Sequence, residues 1–237
     1  MKLASVLTEI RQVLKDSVDP KVLYSDKKYF KEEIKMYGVR VLEVTRLSKM
    51  FYESFKNESK EDIFELCEEL WKSDYSEECY MACNFSYYIC DRYEPADFKV
   101  FDYWVKTYVN NWATCDTLCN HSVGTFVEMY PQFVNEVKQW ATSSNRWVKR
   151  AAAVTFIIPA RKGLFHDDIF EIADTLLMDK DDMVQKGYGW MLKATSEADR
   201  ERVFRYVLSK KAVMPRTSLR YAIEKMPQEM RAEAMKK

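Results

Sequence analysis

Glycine and proline are scarce in these 237 residues, at 5 and 6. An all-β chain needs many tight turns, so this shortage argues against a sandwich or barrel. No apolar run approaches the roughly 20 residues of a membrane span. The opening Met1-Lys2-Leu3-Ala4-Ser5-Val6-Leu7-Thr8-Glu9 meets an acid too soon for a secretory leader, so a cytoplasmic, non-membrane protein is expected. No nucleotide-binding loop, Gly-x-Ser-x-Gly elbow, His-Glu-x-x-His pair or dinucleotide glycine pattern occurs. Cys-x-x-Cys is missing as well. Cys79 and Cys83 stand four apart, as do Cys115 and Cys119, while Cys67 and Cys90 are isolated and the histidines are His121 and His166. Small soft residues at helical spacing suit core packing, so no metal, cofactor or structural disulfide is expected.

Net charge is absent too, 37 basic residues against 37 acidic, which at first argues against a nucleic-acid partner. The distribution is uneven. Residues 51–100 hold 13 acids and 5 Lys/Arg, a net −8, whereas residues 138–237 hold 20 Lys/Arg and 13 acids, a net +7. Such asymmetry hints at a half that faces a polyanion.

What the chain does have is helical periodicity. Val6, Ile10, Val13 and Leu14 repeat at helical spacing over Leu3–Lys15, and a second helix is predicted over Lys27–Met36, capped by Gly38. Val44, Leu47, Phe51 and Phe55 predict one over Val41–Phe55, and Ser59 caps the next, with Ile63, Leu66, Leu70 and Trp71 on one face. Ser76 is expected to cap another helix, Pro95, Pro131 and Asn145 mark further helix starts, and Pro159 and Gly163 a break. Asp167–Met178, Asp181–Thr195, Ser196–Leu208 and Pro215–Lys225 complete the series. Roughly a dozen helices in short-linked pairs, repeating at roughly 35–40 residues, predict a stacked α-solenoid. A globular helical bundle fits the periodicity nearly as well. No linker interrupts the chain, so one domain over 1–237 is expected.

Three segments carry candidate chemistry. In Asn110-Asn111-Trp112-Ala113-Thr114-Cys115-Asp116, the indole and the carboxylate share a helix face. The plain alternative is a core tryptophan beside a capping aspartate. Arg146 and Arg150 fall one turn apart, with Lys149 beside them, against the plain alternative of a solvated charged face. Lys186, Trp190 and Lys193 form a cation–aromatic–cation stripe, of the kind that grips phosphates and stacks on sugars or bases. Gly187 and Gly189 cost about 1 kcal/mol each relative to Ala inside a helix. They imply close approach of another backbone or of a ligand. Asp179, Asp181 and Asp182 lack the later glycine and glutamate of a calcium loop and read as a helix start. Together these segments predict a concave surface that holds DNA.

At these residues the chain resembles the AlkD-type DNA alkylation repair family, HEAT-like-repeat DNA glycosylases. Trp112-Ala113-Thr114-Cys115-Asp116 followed by Gly124 is similar to the family's Trp-x-x-x-Asp segment. Ser143 to Ala152 resembles its Trp-x-x-Arg helix start, and Lys186-Gly187-Tyr188-Gly189-Trp190-Met191-Leu192 its Lys-x-x-Gly-Trp-x-Leu helix. Tyr29-Phe30-Lys31 with Gly38 resembles its Tyr-Met-Lys…Gly element. Ala113, Thr114 and Cys115 depart from the pattern, since family members often carry another aromatic or aspartate there. The resemblance implies an all-α HEAT-like solenoid with a concave DNA-binding face. It implies excision of positively charged bases, N3-methyladenine or N7-methylguanine, from duplex DNA without base flipping. Asp116 would be the catalytic carboxylate, with Trp112 and Trp190 packing on the lesion deoxyribose. Arg150 would hold the DNA backbone, with Arg146, Lys149, Lys186 and Lys193 around it and Tyr29 near the cleft. The expected partner is alkylated double-stranded DNA, bound by a monomer that is nucleoid-associated in a prokaryote. A non-catalytic DNA-structure binder and a protein scaffold are the alternatives.

Overall fold

A computed structural model describes residues 2–22 and 30–236. It resolves into two compact units, Met1–Leu118 and Cys119–Lys237. Among the described residues the only β pairing is one isolated bridge, Lys35 with Tyr75, and the protein is all-α.

The first unit begins with α1, Lys2–Asp16, and α2, Val41–Phe55, which bury Val6, Ile10 and Leu14, and Val44, Leu47, Phe51 and Phe55. In α3, Lys60–Lys72, the Ser59 side chain accepts the Asp62 amide at 3.1 Å and acids fill the first turn, as the helix dipole favours. Lys60 is buried at its foot between Glu94, 2.8 Å, and Asp97, 3.0 Å. The helix α4, Ser76–Tyr88, packs on α2 and α3. A 3₁₀ turn at Pro95–Asp97 leads into α5, Phe98–Thr107, and α6, Trp112–Thr117, which packs on α4.

A π-helical turn, Leu118–Val123, comes next in the chain. The second unit contains α7, Gly124–Met129, α8, Val134–Gln139, and α9, Arg146–Val154. There follow α10, Ile157–Arg161, and α11, His166–Leu176. Then come α12, Asp182–Ala198, α13, Arg200–Lys210, α14, Arg216–Ala222, and α15, Gln228–Met235. The second unit is organised around α12, which packs against α9, α10, α11, α13 and α14. Its buried residues, among them Val184, Tyr188, Met191, Leu192 and Thr195, leave little of it to solvent.

Five sequence readings need correction. Residues 30–36 form no helix; the rest of the expected Lys27–Met36 segment, Lys27 to Tyr29, lies outside the described residues. The Ser76 amide donates to Lys35 O at 2.9 Å, and the amides of 37–39 turn to a distant carboxylate. Tyr75, not Ser76, holds the cap position of α4, without a side-chain bond. Pro159 does not break the chain. It sits in the first turn of α10, where its missing N–H leaves no bond unmade. Gly163 does end that helix, at φ 78°. Ser196 starts no helix; it is buried inside α12, and Asp199 caps α13 by accepting the Arg202 amide at 3.0 Å. Helix α15 was not expected at all.

The two glycines of α12 have different reasons. A Cβ at Gly189 would lie 2.7 Å from Tyr221 Cβ and 2.9 Å from the Ser218 carbonyl, so α14 can pack this closely only against a bare backbone. A Cβ at Gly187 would meet the flexible Arg150 stem at 3.2 Å. Gly189→Ala is therefore expected to cost about 2 kcal/mol, roughly 4–8 °C in Tm. Gly187→Ala is expected to be near neutral, because its gain in helix propensity offsets a small shift of Arg150. Paired thermal melts check the contrast.

Candidate nucleic-acid interface

A first cluster of candidate residues, in the first unit, is built on α6. Asn111, buried at the cap position, accepts the Thr114 amide at 3.0 Å and starts the helix. Thr114 and Cys115 turn inward, and the Cys83 thiol of α4 lies 3.9 Å from the Thr114 carbonyl. With the inner face fixed, Trp112 and Asp116 fall four residues apart on the other side, both half-buried. Asp116 is thus no helix cap, and Trp112 is no fully enclosed core residue. The Trp112 ring stacks on Phe30, with centroids 5.5 Å apart and planes at 21°. Tyr29 lies outside the described residues. The π turn begins two residues after Asp116, a distortion often found at functional sites.

A second cluster, in the second unit, joins α9 to the start of α12. Asn145 caps α9 by accepting the Trp147 amide at 2.9 Å. Asp181 caps α12 by accepting the amides of Met183 and Val184, as the acidic stretch predicted. These two starts bring the basic stripe against acids. Arg146 Nε pairs with Asp181 at 2.9 Å, and its guanidinium also reaches Asp182 at 3.6 Å. Lys149 pairs with Asp179, and Lys186 with Asp182 at 3.3 Å. Lys193 pairs with Glu224 at 3.0 Å and stands 5.6 Å from the Tyr221 ring centroid. Trp190, one turn past Lys186, is half-buried.

Arg150 is different. It is only 4% exposed, donates Nη1 to the Met183 carbonyl at 2.6 Å and lies against Gly187. The solvated charged face that Arg146 and Arg150 suggest in the sequence is therefore a buried arginine beside a row of ion pairs. The more exposed of these pairs, such as Lys186–Asp182, are worth up to about 1 kcal/mol, whereas Lys149–Asp179 is largely buried. The local positive field is weaker than the basic half of the sequence suggests.

Sequence reasoning missed Phe30 as the partner of Trp112 and the acids as partners of the stripe. A signal for the second exists: Lys149–Asp179 and Lys193–Glu224 are separated by 30 and 31 residues, close to one repeat.

The helical fold and these two clusters define the class, an all-α repeat protein with an aromatic–carboxylate face and an arginine-centred basic face. The sequence model of the family described as DNA alkylation repair enzyme matches residues 10–226, and the chain belongs to that family. A role in DNA repair follows from the membership. Among solved structures, a predicted DNA alkylation repair enzyme from Enterococcus faecalis superposes with a TM-score of 0.79. The match covers 90% of this chain and 98% of that one at 17% identity, which shows a shared fold. No curated protein matches. No helix among the described residues is long and apolar enough to cross a membrane.

Arg150→Met keeps the aliphatic stem but leaves the Met183 carbonyl without its charged donor. It is expected to lower stability by about 2 kcal/mol in the absence of DNA, read from the urea midpoint. An unchanged midpoint would show that the guanidinium has no part in holding α9 to α12.

Proposed function

We propose that the protein is a monofunctional DNA glycosylase that hydrolyses the N-glycosidic bond of positively charged alkylpurines in duplex DNA, N3-methyladenine and N7-methylguanine, without flipping the base. Residues 1–237 act as one HEAT-like-repeat domain in this reading. The family match supports that, since its span of 10–226 runs across both units.

The observation that carries the reading is Asp116 one turn from Trp112 on the outward side of a helix whose inner side is anchored. A cationic base is already a good leaving group, so no general acid is required. As the C1′–N bond breaks, its electron pair passes to the ring and neutralises the base, and positive charge builds on the sugar. A carboxylate beside that sugar stabilises the charge and accepts a proton from the water whose oxygen bonds to C1′. The indoles of Trp112 and Trp190 add cation–π attraction of about 0.5–2 kcal/mol each. Arg146, Lys149, Lys186 and Lys193 exchange their carboxylate partners for phosphates, while Arg150, buried beneath them, acts by ordering the α9–α12 contact on which they stand. Tyr29 completes the set from its place in sequence.

Asp116→Asn is expected to keep duplex affinity and to lose base release by on the order of 10²–10³-fold, measured as methylated bases freed from treated duplex DNA over time. Equal release by wild type and variant removes Asp116 from the chemistry. Binding without any release by wild type favours a non-catalytic DNA-structure binder.

Asp182 touches both Arg146 and Lys186 but caps nothing. Asp182→Asn is expected to tighten duplex binding and to steepen the slope of log K against log salt by roughly 0.9, about one extra phosphate contact. Weaker or unchanged binding in a salt titration argues against these cations as the DNA contacts.

A further inference from the structure

Two acids in the first turn of α4 are almost completely buried, Glu77 at 6% and Glu78 at 1% exposure. A buried carboxylate is costly unless donors meet its oxygens. Glu77 receives three successive backbone amides, Tyr37 at 3.0 Å, Gly38 at 2.8 Å and Val39 at 3.0 Å. Gly38, at φ 95°, supplies the left-handed step that lets neighbouring N–H groups converge on one anion. Glu78 accepts the Tyr37 hydroxyl at 2.6 Å and Arg11 Nε at 3.1 Å. Burial and the adjoining Glu78 carboxylate push that hydroxyl well above the usual phenol range, so it remains a donor. Tyr37 also stacks on Tyr75, centroids 4.3 Å apart, and Lys35 is bridged to the same place. Residues 35–39 are thereby fastened to the start of α4.

The same helix supports α6 through Cys83. Five residues before the fastened segment, Phe30 lies on the Trp112 ring. Helix α4 therefore anchors the chain on either side of that stack, residues 35–39 that follow Phe30 through its first turn and α6 through its middle. We infer that Glu77 is a positioning residue for Trp112 and that Phe30 is the contact through which it acts. A ring already backed by Phe30 keeps one pose before DNA arrives, so its ordering is not charged against binding or reaction. The kinetic consequence rests on the glycosylase reading; the positioning itself does not.

Fluorine NMR of protein labelled with 5-fluorotryptophan tests this directly. Each of the six tryptophans contributes a resonance, and Trp112→Phe identifies the one from residue 112. Phe30→Leu and Glu77→Gln are expected to shift or broaden that resonance without DNA, and Phe30→Tyr to leave it near the wild-type position. In single-turnover assays on N7-methylguanine duplex, Phe30→Leu and Glu77→Gln are expected to slow excision by roughly ten- to a hundredfold. Duplex Kd should stay unchanged, and Phe30→Tyr should restore the rate. The double variant should be no slower than the slower single variant, because both changes remove one contact. A resonance unmoved in both variants, or losses that multiply in the double variant, overturns the inference. If Glu77→Gln does not fold, the Phe30→Leu and Phe30→Tyr pair decides alone. If wild type releases no base, the glycosylase reading falls and the resonance alone decides the positioning.

Discussion

A charge removed from water must be given partners, and in each unit of this protein one buried charge takes them from the backbone of another segment. Arg150 is buried between α9 and α12 and donates to the Met183 carbonyl. Glu77 is buried at the start of α4 and takes the amides of 37–39. A counter-charge on a flexible side chain would leave the neighbouring backbone free to adjust. A carbonyl or a run of amides does not, because its position is that of the main chain. Each buried charge thus fixes a backbone segment close to aromatic residues of the candidate interface. In the second unit this also explains Gly187, which provides room for the arginine stem, whereas Gly189 answers to the approach of the Ser218 backbone.

Much of the fold was legible because most of it is local. Val41–Phe55 was read to its observed limits, and Ser59, Asn145 and Asp181 cap as their residue types suggest. Where the sequence predicts a repeat of roughly 35–40 residues, paired side chains in the structure show an offset somewhat shorter. Lys60–Glu94, Lys149–Asp179, Lys162–Glu128, Lys193–Glu224 and Arg202–Asp167 are separated by 34, 30, 34, 31 and 35 residues. One helix pair onward brings a side chain to its partner, which is what stacking of successive pairs requires.

What stayed hidden depends on partners far along the chain. Residues 30–36 carry enough apolar and charged residues to imitate a helix, but the acceptor that draws the next three amides away lies some forty positions later, at Glu77. Pro159 looked like a break because proline removes an amide, and only the start of α10 just before it makes that loss harmless. At the candidate site, Trp112 with Asp116 needed nothing but the four-residue spacing of a helix. The Phe30 ring over Trp112 could not be read, since the chain between them includes the four helices α2 to α5 and no pattern links them.

The basic stripe shows how sequence charge and spatial charge part company. Arg146, Lys149, Arg150 and Lys186 look like an open phosphate grip, yet Asp179, Asp181 and Asp182 stand among them and remove most of the local excess. For a polyanion this is a graded surface rather than a simple attractor. In the proposed reading, phosphates that arrive with the spacing of these cations exchange one oxyanion partner for another, at little cost for the exposed pairs. An ill-fitting anion gains too little from the residual field to open the pairs. The carboxylates that weaken the attraction thereby make it depend on geometry, and in the proposed reading, as a protein that searches duplex DNA, that dependence favours loose contact almost everywhere.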